Sequence, residues 1–344
     1  MIFEEEITRW YKLNKRDLPW RKTRDPYLIW LSEIILQQTR VNQGLSYYEK
    51  FSEKYPTVQD LANEKEEEVL KLWQGLGYYS RARNMHFTAK YIVENLNGKF
   101  PSSYDEILKL KGVGEYTAAA VASFSFDEKK AVLDGNVFRL LSRYFGIHIP
   151  IDSSAGKKKF KTLANDLILE KEPGTYNQAI MEFGALVCTP KVPGCKSCRL
   201  SINCEALSKN EVDILPFKRK KINKRDRFFN FLVITDGEST YLQQRLEKDI
   251  WIRLFQFPLL ETEQEISSIE NNSMIDSNHY LVNVSDHKHL LSHQTIYAKF
   301  WLFKSEISLP QNSKFKIVSI SEIHNYAVPK LIENYLNEFF QLIN

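Results

Sequence analysis

Four cysteines, all lying between Cys188 and Cys204, constrain this chain more than any other feature of its sequence. Disulfides that stabilise a chain of 344 residues would be spread along it, so pairing within one short segment is a poor explanation. The spacing C-x6-C-x2-C-x5-C is compact enough for one loop to bring four thiolates around a single centre. Thiolates suit zinc or an iron-sulfur cluster, and geometry alone does not separate the two. The sequence therefore predicts that a metal or cluster is bound by Cys188, Cys195, Cys198 and Cys204.

The length and the charge distribution predict two domains joined by a basic linker. A chain this long exceeds what one core comfortably supports. The net charge of +4 is too small to diagnose a nucleic-acid partner, but it is unevenly distributed. Residues 208–227 carry 8 basic and 3 acidic groups, whereas residues 228–344 carry 9 and 14. We therefore expect domains at 1–207 and 228–344, and a linker at 208–227 that is either merely solvated or lies along a phosphate backbone.

The hydropathy of the chain predicts a soluble, cytoplasmic protein. Hydrophobic residues make up 43% of the sequence, which is ordinary for a globular protein. No stretch approaches the roughly 18 apolar residues of a membrane span, and the N-terminal segment lacks the apolar core of a signal peptide.

The apolar periodicity changes near the linker. Before it, helical spacing predominates, with Asp25-Pro26 opening a long helical segment through Phe51. After it, aromatic and β-branched runs predict strands, and the last segment predicts an amphipathic helix. We therefore expect an all-α domain followed by an α+β domain, with strands in FFNFLVI, TYLQQRL and HQTIYAKFWLF and the helix in VPKLIENYLNEFFQLI.

The segment LKGVGEYTA, residues 110–118, places two glycines between apolar helical segments. Gly112 and Gly114 can expose backbone N–H groups at the start of the next helix, where such groups hold a phosphate without reading sequence. A Gly-x-Gly alone also fits a plain turn between helices.

Together with the cysteine spacing, this hairpin resembles the helix-hairpin-helix, iron-sulfur DNA glycosylases of the endonuclease III and MutY family. Three further segments are similar to the adenine glycosylase branch, namely WLSEIILQQTRV at 30–41, GLGYYSRARN at 75–84 and VLDGNVFRLLSR at 132–143. The resemblance implies an all-α helix-hairpin-helix domain in which the four cysteines bind a [4Fe-4S] cluster.

Two carboxylates are the catalytic candidates. Helical spacing places Glu33 on an uncharged face, where burial would favour its protonated form. The resemblance implies that Glu33 protonates the flipped adenine and later handles the incoming water, while Asp134 stabilises a cationic sugar or bonds to it covalently. Asp134 before Gly-Asn also looks like a helix N-cap. Tyr116 and Asn136 would support this chemistry by hydrogen bonding.

The resemblance also assigns contacts with DNA. The adenine would be lined by Trp20, Arg21, Leu36 and Gln178, although Trp20 and Leu36 also fit a simple core. Besides Gly112 and Gly114, the residues that fill or prop the gap left by the flipped base would be Gln38, Thr39, Leu76 and Tyr78.

Residues 228–344 resemble, more loosely, the Nudix-like (MutT-like) C-terminal domain of this family, without the glutamate-rich box that binds magnesium. The family's Phe-Ser-His loop, which contacts 8-oxoguanine, stands here as Leu291-Ser292-His293. Ser292 keeps a hydroxyl able to pair with the N7–H that distinguishes oxidised guanine from guanine, so Ser292 and His293 are expected to read the lesion.

The expected function is hydrolytic removal of adenine mispaired with 8-oxoguanine or guanine. The expected partner is double-stranded DNA containing such mispairs, bound by a monomer associated with the nucleoid. Members of the superfamily that also cut the backbone carry a lysine where this chain has Tyr116, so no Schiff base forms there. Two alternatives remain open: an endonuclease III-like glycosylase/lyase, and a non-enzymatic iron-sulfur DNA-binding protein.

Overall fold

The structure is a computed structural model, and it describes residues 3–219, 224–269, 274–275, 278–308 and 314–343. The chain divides into two compact units. The first comprises residues 1–63 and 84–220, and the second comprises residues 64–83 and 221–344.

The first unit is helical, as its apolar periodicity predicts. Asp25 caps α2 by accepting from the N–H groups of Tyr27 and Leu28, and Pro26 occupies the first turn. The predicted helix through Phe51 is interrupted between α2 and α3, where Gln38 takes a left-handed conformation (φ 55°) that no glycine or proline announces. The helices are α1 (Phe3–Asn14), α2 (Pro26–Leu36), α3 (Val41–Lys54), α4 (Val58–Asn63), α5 (Glu66–Leu72), α6 (Ser80–Asn95), α7 (Tyr104–Ile107), α8 (Glu115–Phe126), α9 (Gly135–Tyr144), α10 (Ser154–Leu167), α11 (Pro173–Leu186) and α12 (Glu205–Ser208), of which α5 and the start of α6 belong to the second unit.

The core of the first unit gathers around α11. This helix packs against α1, α8 and α9, so that most of its side chains are buried. Close approach requires glycine at position 184, because a Cβ there would lie 2.8 Å from the backbone oxygen of Asn136. The packing fixes α11 beside the start of α9, where two of the predicted catalytic residues lie.

The second unit is a mixed sheet covered by a helix. Strands β1 (Arg225–Thr235) and β6 (Gln294–Lys304) pair in parallel, and the other pairings are antiparallel. The sheet order is β3-β2-β1-β6-β5, with β4 paired to β1 and β7 to β2. The remaining elements are β2 (Ser239–Gln244), β3 (Phe255–Gln256), β4 (Leu259–Thr262), β5 (Tyr280–Leu290), β7 (Lys316–Ser319) and α13 (Lys330–Ile343).

The helix α13 closes the core of this sheet. Its Tyr335 stacks on Phe300 of β6 with ring centroids 3.9 Å apart, and both side chains are fully buried. The three predicted strand segments lie in β1, β2 and β6, and the predicted terminal helix is α13. The fold class predicted from the sequence, a helical domain followed by an α+β domain, is therefore confirmed.

Residues 64–83 belong to the second unit through specific contacts. The Tyr79 hydroxyl donates to the Val328 carbonyl (3.3 Å), and the Val328 N–H donates to the Gln74 side chain (3.3 Å). The Arg83 guanidinium donates to the Ile252 carbonyl (2.9 Å). These bonds anchor α5, the following turn and the start of α6 to the C-terminal part of the chain.

Candidate active site

A cavity of about 770 Å³ in the first unit collects the predicted catalytic and pocket residues. It is bounded by α2, by the starts of α8 and α9, and by α11. We refer to it as the carboxylate cavity, and its lining includes Trp20, Arg21, Glu33, Leu36, Tyr116, Asp134, Asn136 and Gln178. All eight residues predicted for the catalytic and adenine-pocket groups therefore line one space.

Glu33 is a buried carboxyl with a strongly perturbed pKa. Its position on the inner face of α2 leaves the residue 5% exposed. Burial raises its pKa to about 7, a hydrogen bond with Tyr116 lowers it, and the nearby charge of Asp134 raises it again. Near neutral pH the group can therefore both hold and release a proton, as a general acid requires.

Tyr116 lies in the first turn of α8, directly after the two-glycine turn. Burial and the neighbouring Glu33 and Asp134 raise the pKa of its hydroxyl well above 10. The hydroxyl therefore stays protonated, and it lies close enough to Glu33 for a hydrogen bond between them to affect both pKa values. Its oxygen also lies 3.8 Å from the sulfur of Met181.

Asp134 is both the N-cap of α9 and a residue of the cavity wall. It caps α9, where its Oδ1 accepts from the N–H groups of Asn136 (2.9 Å) and Val137 (2.7 Å). Its Oδ2 accepts from the Asn136 side chain (2.7 Å) and lies in the wall of the carboxylate cavity. Burial raises the pKa of Asp134, whereas the N–H groups of Val137 and Asn136 oppose the rise by stabilising the anion. Arg139 donates to the Asn136 side-chain oxygen (2.9 Å) and so supports this arrangement.

A second buried carboxylate, Glu182, was not predicted from the sequence. It is 1% exposed and accepts paired hydrogen bonds from Arg16 and from Arg21. Burial raises its pKa, but the hydrogen bonds from Arg21 and Arg16 outweigh this effect and lower the pKa to about 2. Glu182 is therefore a permanent anion that fixes the Arg21 guanidinium in the cavity wall. A sequence signal existed, because Glu182 follows Gln178 by four residues and so shares its face of α11.

Gln178 is oriented by Tyr11, which sequence reasoning also missed. The Tyr11 hydroxyl donates to the Gln178 side-chain oxygen at 2.5 Å. The Arg21 guanidinium lies 5.5 Å from the centre of the Tyr11 ring. With its oxygen engaged, Gln178 presents its amide N–H₂ as a donor.

The residues predicted to contact DNA in the first unit lie on two turns. Gln38 is exposed and left-handed, and the neighbouring Thr39 lines the carboxylate cavity. Gly112 has φ 81°, and a Cβ there would lie 2.7 Å from Cβ of Asn84, so only glycine fits. Gly114 precedes α8 and has open space on its Cβ side, which leaves the backbone approachable.

The second unit contains the other predicted DNA contacts. Gly75 (φ 96°), Gly77 (φ 72°) and Tyr78 (φ 48°) form a tight left-handed turn from which Tyr78 projects, 44% exposed. Leu76 is 7% exposed and lies within the turn. Ser292 and His293 are exposed at the tip of the β5–β6 hairpin, which the Leu291 N–H closes on the Gln294 carbonyl (2.9 Å).

The four cysteines line one cavity with apolar walls that include Leu140, Phe183 and Leu200, and none of the four forms a disulfide. Burial raises the pKa of Cys198 to about 11 and raises those of Cys195 and Cys204.

Several donors point at the sulfur atoms. The Arg143 guanidinium lies 3.5 Å from Sγ of Cys188, and backbone N–H groups of Leu200 and Leu207 point to Cys198 and Cys204. Among the described residues, no group of three or more His, Cys, Asp or Glu side chains is arranged to hold a single metal ion. Four thiols lining one apolar cavity, with donors directed at their sulfur atoms, are compatible with an iron-sulfur cluster.

Among the described residues, no helix combines the length and the apolar character that a membrane crossing requires.

Family models match both parts of the chain. Residues 31–165 match the HhH-GPD superfamily base excision DNA repair protein, and residues 230–338 match the NUDIX domain. Among solved structures, a thermostable thymine-DNA glycosylase is 33% identical with a TM-score of 0.56, covering 60% of this chain and 95% of that one. A trapped endonuclease III–DNA covalent intermediate has a TM-score of 0.53 at 24% identity, over 60% of this chain and 94% of that one, which supports the fold alone.

Curated relatives cover the chain more fully. Adenine DNA glycosylase of Buchnera aphidicola subsp. Schizaphis graminum is 35% identical over 350 residues, covering 98% of this chain and 99% of the relative. Adenine DNA glycosylase of Rattus norvegicus is 44% identical over 213 residues, covering 59% of this chain and 41% of the relative. The resemblance drawn from the motifs is confirmed, and the chain belongs to the adenine DNA glycosylase family.

Proposed function

We propose that this protein is a base-excision repair enzyme that flips adenine out of a mispair with 8-oxoguanine or guanine and removes it by hydrolysis. The proposal rests mainly on the placement of Glu33, a buried acid with a pKa of about 7 that lines the same cavity as Asp134. Family membership supports DNA as the class of substrate, and the cavity of about 770 Å³ has room for a base.

In the proposed mechanism Glu33 donates its proton to a ring nitrogen of the flipped adenine. The C1′–N9 bond then breaks, its electron pair leaves with the protonated base, and positive charge develops on the sugar. Asp134, kept anionic by the N–H groups of Asn136 and Val137, stabilises that charge or bonds to it. The Glu33 carboxylate next takes a proton from water, whose oxygen attacks C1′ and completes the hydrolysis.

Tyr116 makes the enzyme monofunctional in this proposal. A phenol cannot form the Schiff base by which a lysine nucleophile leads to strand cleavage. The high pKa of Tyr116 keeps it a hydrogen-bond donor to Glu33, so its contribution is to adjust the acid and not to attack the sugar.

The adenine pocket would use Trp20 and Leu36 as apolar walls and Gln178 and Arg21 as donors. Gln178 is oriented by Tyr11, and Arg21 by Glu182, so both donors are held in place before the base arrives. Adenine presents ring nitrogens as acceptors, which these donors match.

The remaining contacts with DNA follow the functional division that we propose for the chain, at 1–207, 208–227 and 228–344. The hairpin at Gly112 and Gly114 would hold a phosphate, and Gln38, Thr39, Leu76 and Tyr78 would support the gap left by the flipped base. Ser292 and His293 would read 8-oxoguanine in the opposing strand. We propose that the enzyme acts as a monomer in the cytoplasm, associated with the nucleoid.

The cofactor in this proposal is a [4Fe-4S] cluster held by Cys188, Cys195, Cys198 and Cys204. When bound, such a cluster orders the loop that follows α11 and can carry an electron. Arg143 and the backbone N–H groups that point at the sulfurs would offset the negative charge of the thiolates.

A single-turnover assay on duplexes with adenine opposite 8-oxoguanine, guanine, cytosine or thymine tests the function. We expect release of free adenine, fastest opposite 8-oxoguanine, with strand breaks only after alkali treatment. Strand cleavage without alkali would identify a glycosylase/lyase, and the absence of base release from every duplex would identify a non-enzymatic DNA-binding protein. Either result would overturn the proposal.

A further inference from the structure

The tip of the β5–β6 hairpin is connected to a buried ionic network in the second unit. The Ser292 hydroxyl lies 3.2 Å from Nδ1 of His293, and Nε2 of His293 lies 2.9 Å from Nε2 of Gln294. Ser292 and His293 are exposed, whereas Gln294 is 5% exposed. The side chain of Gln294 is therefore the link between the exposed tip and the interior.

Arg227 fixes the orientation of Gln294. Arg227 is 8% exposed. Four of the five N–H groups of its guanidinium donate to Glu261 and Asp249 at 2.6–2.9 Å. The fifth lies 3.4 Å from Oε1 of Gln294. Because arginine has only donors, this amide must present its oxygen to Arg227 and its nitrogen to His293.

This orientation sets the tautomer of His293. The Gln294 amide nitrogen is a donor, so Nε2 of neutral His293 must be the acceptor and the ring proton must be on Nδ1. Nδ1–H then donates to the Ser292 oxygen. The hydroxyl keeps one lone pair and its own hydrogen, and both directions are constrained by the bond already made.

We propose that Gln294, held by Arg227, is a positioning residue for discrimination between the opposing bases. A freely rotating hydroxyl can donate to N7 of guanine as readily as it accepts from the N7–H of 8-oxoguanine. When one lone pair of the hydroxyl is engaged by His293, its hydrogen and its other lone pair share the two remaining staggered positions, so the oxygen is held in place and has fewer orientations toward the opposing base. This inference rests on the proposed function of Ser292 and His293 as the lesion reader.

The chain offers a matched control. Gln256 is also buried, 1% exposed, and its side-chain oxygen accepts from Arg245 (2.9 Å), which binds the same Asp249. Replacing Gln256 by Leu therefore disturbs the same ionic network without touching His293.

The first measurement is nitrogen NMR of the His293 ring in the full-length protein at pH 8, assigned by comparison with His293→Ala. We expect the proton on Nδ1 in the wild type and in Gln256→Leu. In Gln294→Leu the constraint is gone, and the tautomer should shift toward Nε2–H. A wild-type ring protonated on Nε2, or a tautomer unchanged in Gln294→Leu, would overturn the proposal.

The second measurement is the ratio of excision rates opposite 8-oxoguanine and opposite guanine, at one fixed salt concentration. Gln294→Leu should lower this ratio roughly two- to tenfold, the range of one neutral hydrogen bond, whereas Gln256→Leu should leave it unchanged. If Ser292→Ala lowers the ratio but Gln294→Leu does not, the positioning role is wrong and the lesion reader stands. If Ser292→Ala also has no effect, the reader itself is wrong, and the discrimination assigned to Gln294 is wrong with it.

Discussion

Two buried carboxylates in one cavity should respond to the same substitution with opposite changes in stability. Glu33 has a pKa of about 7, above its ordinary 4.5, so the folded protein binds this proton more tightly than the unfolded chain. The free energy of unfolding therefore falls as pH rises from about 4.5 to about 7. The difference between the two pKa values corresponds to about 3 kcal/mol.

Glutamine at position 33 carries no charge to bury. Glu33→Gln should therefore be close to the wild type in stability near pH 4.5. At pH 8 the variant avoids the cost of burying a charge, which would raise its free energy of unfolding by up to about 3 kcal/mol over that of the wild type. A weaker hydrogen bond with Tyr116 should reduce this gain by about 1 kcal/mol. In the proposed mechanism the same variant binds duplex DNA and releases no adenine, because an amide has no proton to give.

The contribution of Glu182 to stability changes with pH in the opposite direction. Its pKa of about 2 lies below 4.5, so it contributes stability that is present above pH 4.5 and lost as pH falls toward 2. Glu182→Gln removes that contribution and leaves Arg16 and Arg21 without their buried anion. We expect a loss of about 3–5 kcal/mol at neutral pH, the cost of breaking a buried pair.

Urea unfolding followed by circular dichroism at pH 5, 6.5 and 8 measures both effects. Glu205→Gln is the control, because Glu205 at the start of α12 forms an exposed pair with Lys209, so this variant should be as stable as the wild type. The reasoning fails if Glu33→Gln is destabilised at pH 8, if its gain does not grow with pH, or if Glu182→Gln is tolerated at neutral pH.

Three further variants test separate parts of the site. Asp134→Asn keeps an oxygen for the N–H groups that it caps, so the free energy of unfolding should change by less than about 1 kcal/mol. Single-turnover adenine release should nevertheless fall about a hundredfold to a thousandfold. Activity lost in proportion to unfolding would favour capping alone. Tyr116→Phe removes a bond that lowers the pKa of Glu33, so the basic limb of the pH–rate profile should move to higher pH, and a limb that stays in place would exclude this coupling. Anaerobically purified wild type should contain about four iron atoms per chain, and Cys198→Ser should contain fewer. The same variant should lose DNA affinity to a greater extent than excision rate. A colourless wild type containing zinc would refute the cluster.

The sequence predicts the fold class and most of the catalytic and pocket residues that line the carboxylate cavity, because both predictions depend on local patterns. Glu33 faces inward since its neighbours on α2 are apolar, and Asp134 caps α9 since aspartate before Gly-Asn does so. Glu182 and Tyr11 were missed because their importance depends on partners more than 150 residues away, Arg21 for one and Gln178 for the other. The spacing from Gln178 places Glu182 on the same face of α11, but no local pattern identifies Arg21 or Gln178 as the distant partner.

The boundary between the two units shows the same limitation. Composition places the end of the first domain near residue 207, and it gives no reason to separate residues 64–83 from the helices around them. Their inclusion in the second unit depends on hydrogen bonds of Tyr79 and Gln74 with Val328, and on that of Arg83 with Ile252. Side-chain bonds between segments so distant in sequence cannot be derived from hydropathy.

Tyr116 connects the two halves of the proposed chemistry. A lysine in place of Tyr116 would add a cation beside Glu33 and so favour its ionised form. A tyrosine adds no charge, and its single hydrogen bond opposes only part of the effect of burial, which leaves the pKa of Glu33 at about 7. In the proposed mechanism the residue that stands in place of an amine nucleophile therefore also preserves the proton that the leaving adenine needs. In the proposed mechanism water is the final nucleophile, and the newly deprotonated Glu33 carboxylate, which lines the same cavity, activates it.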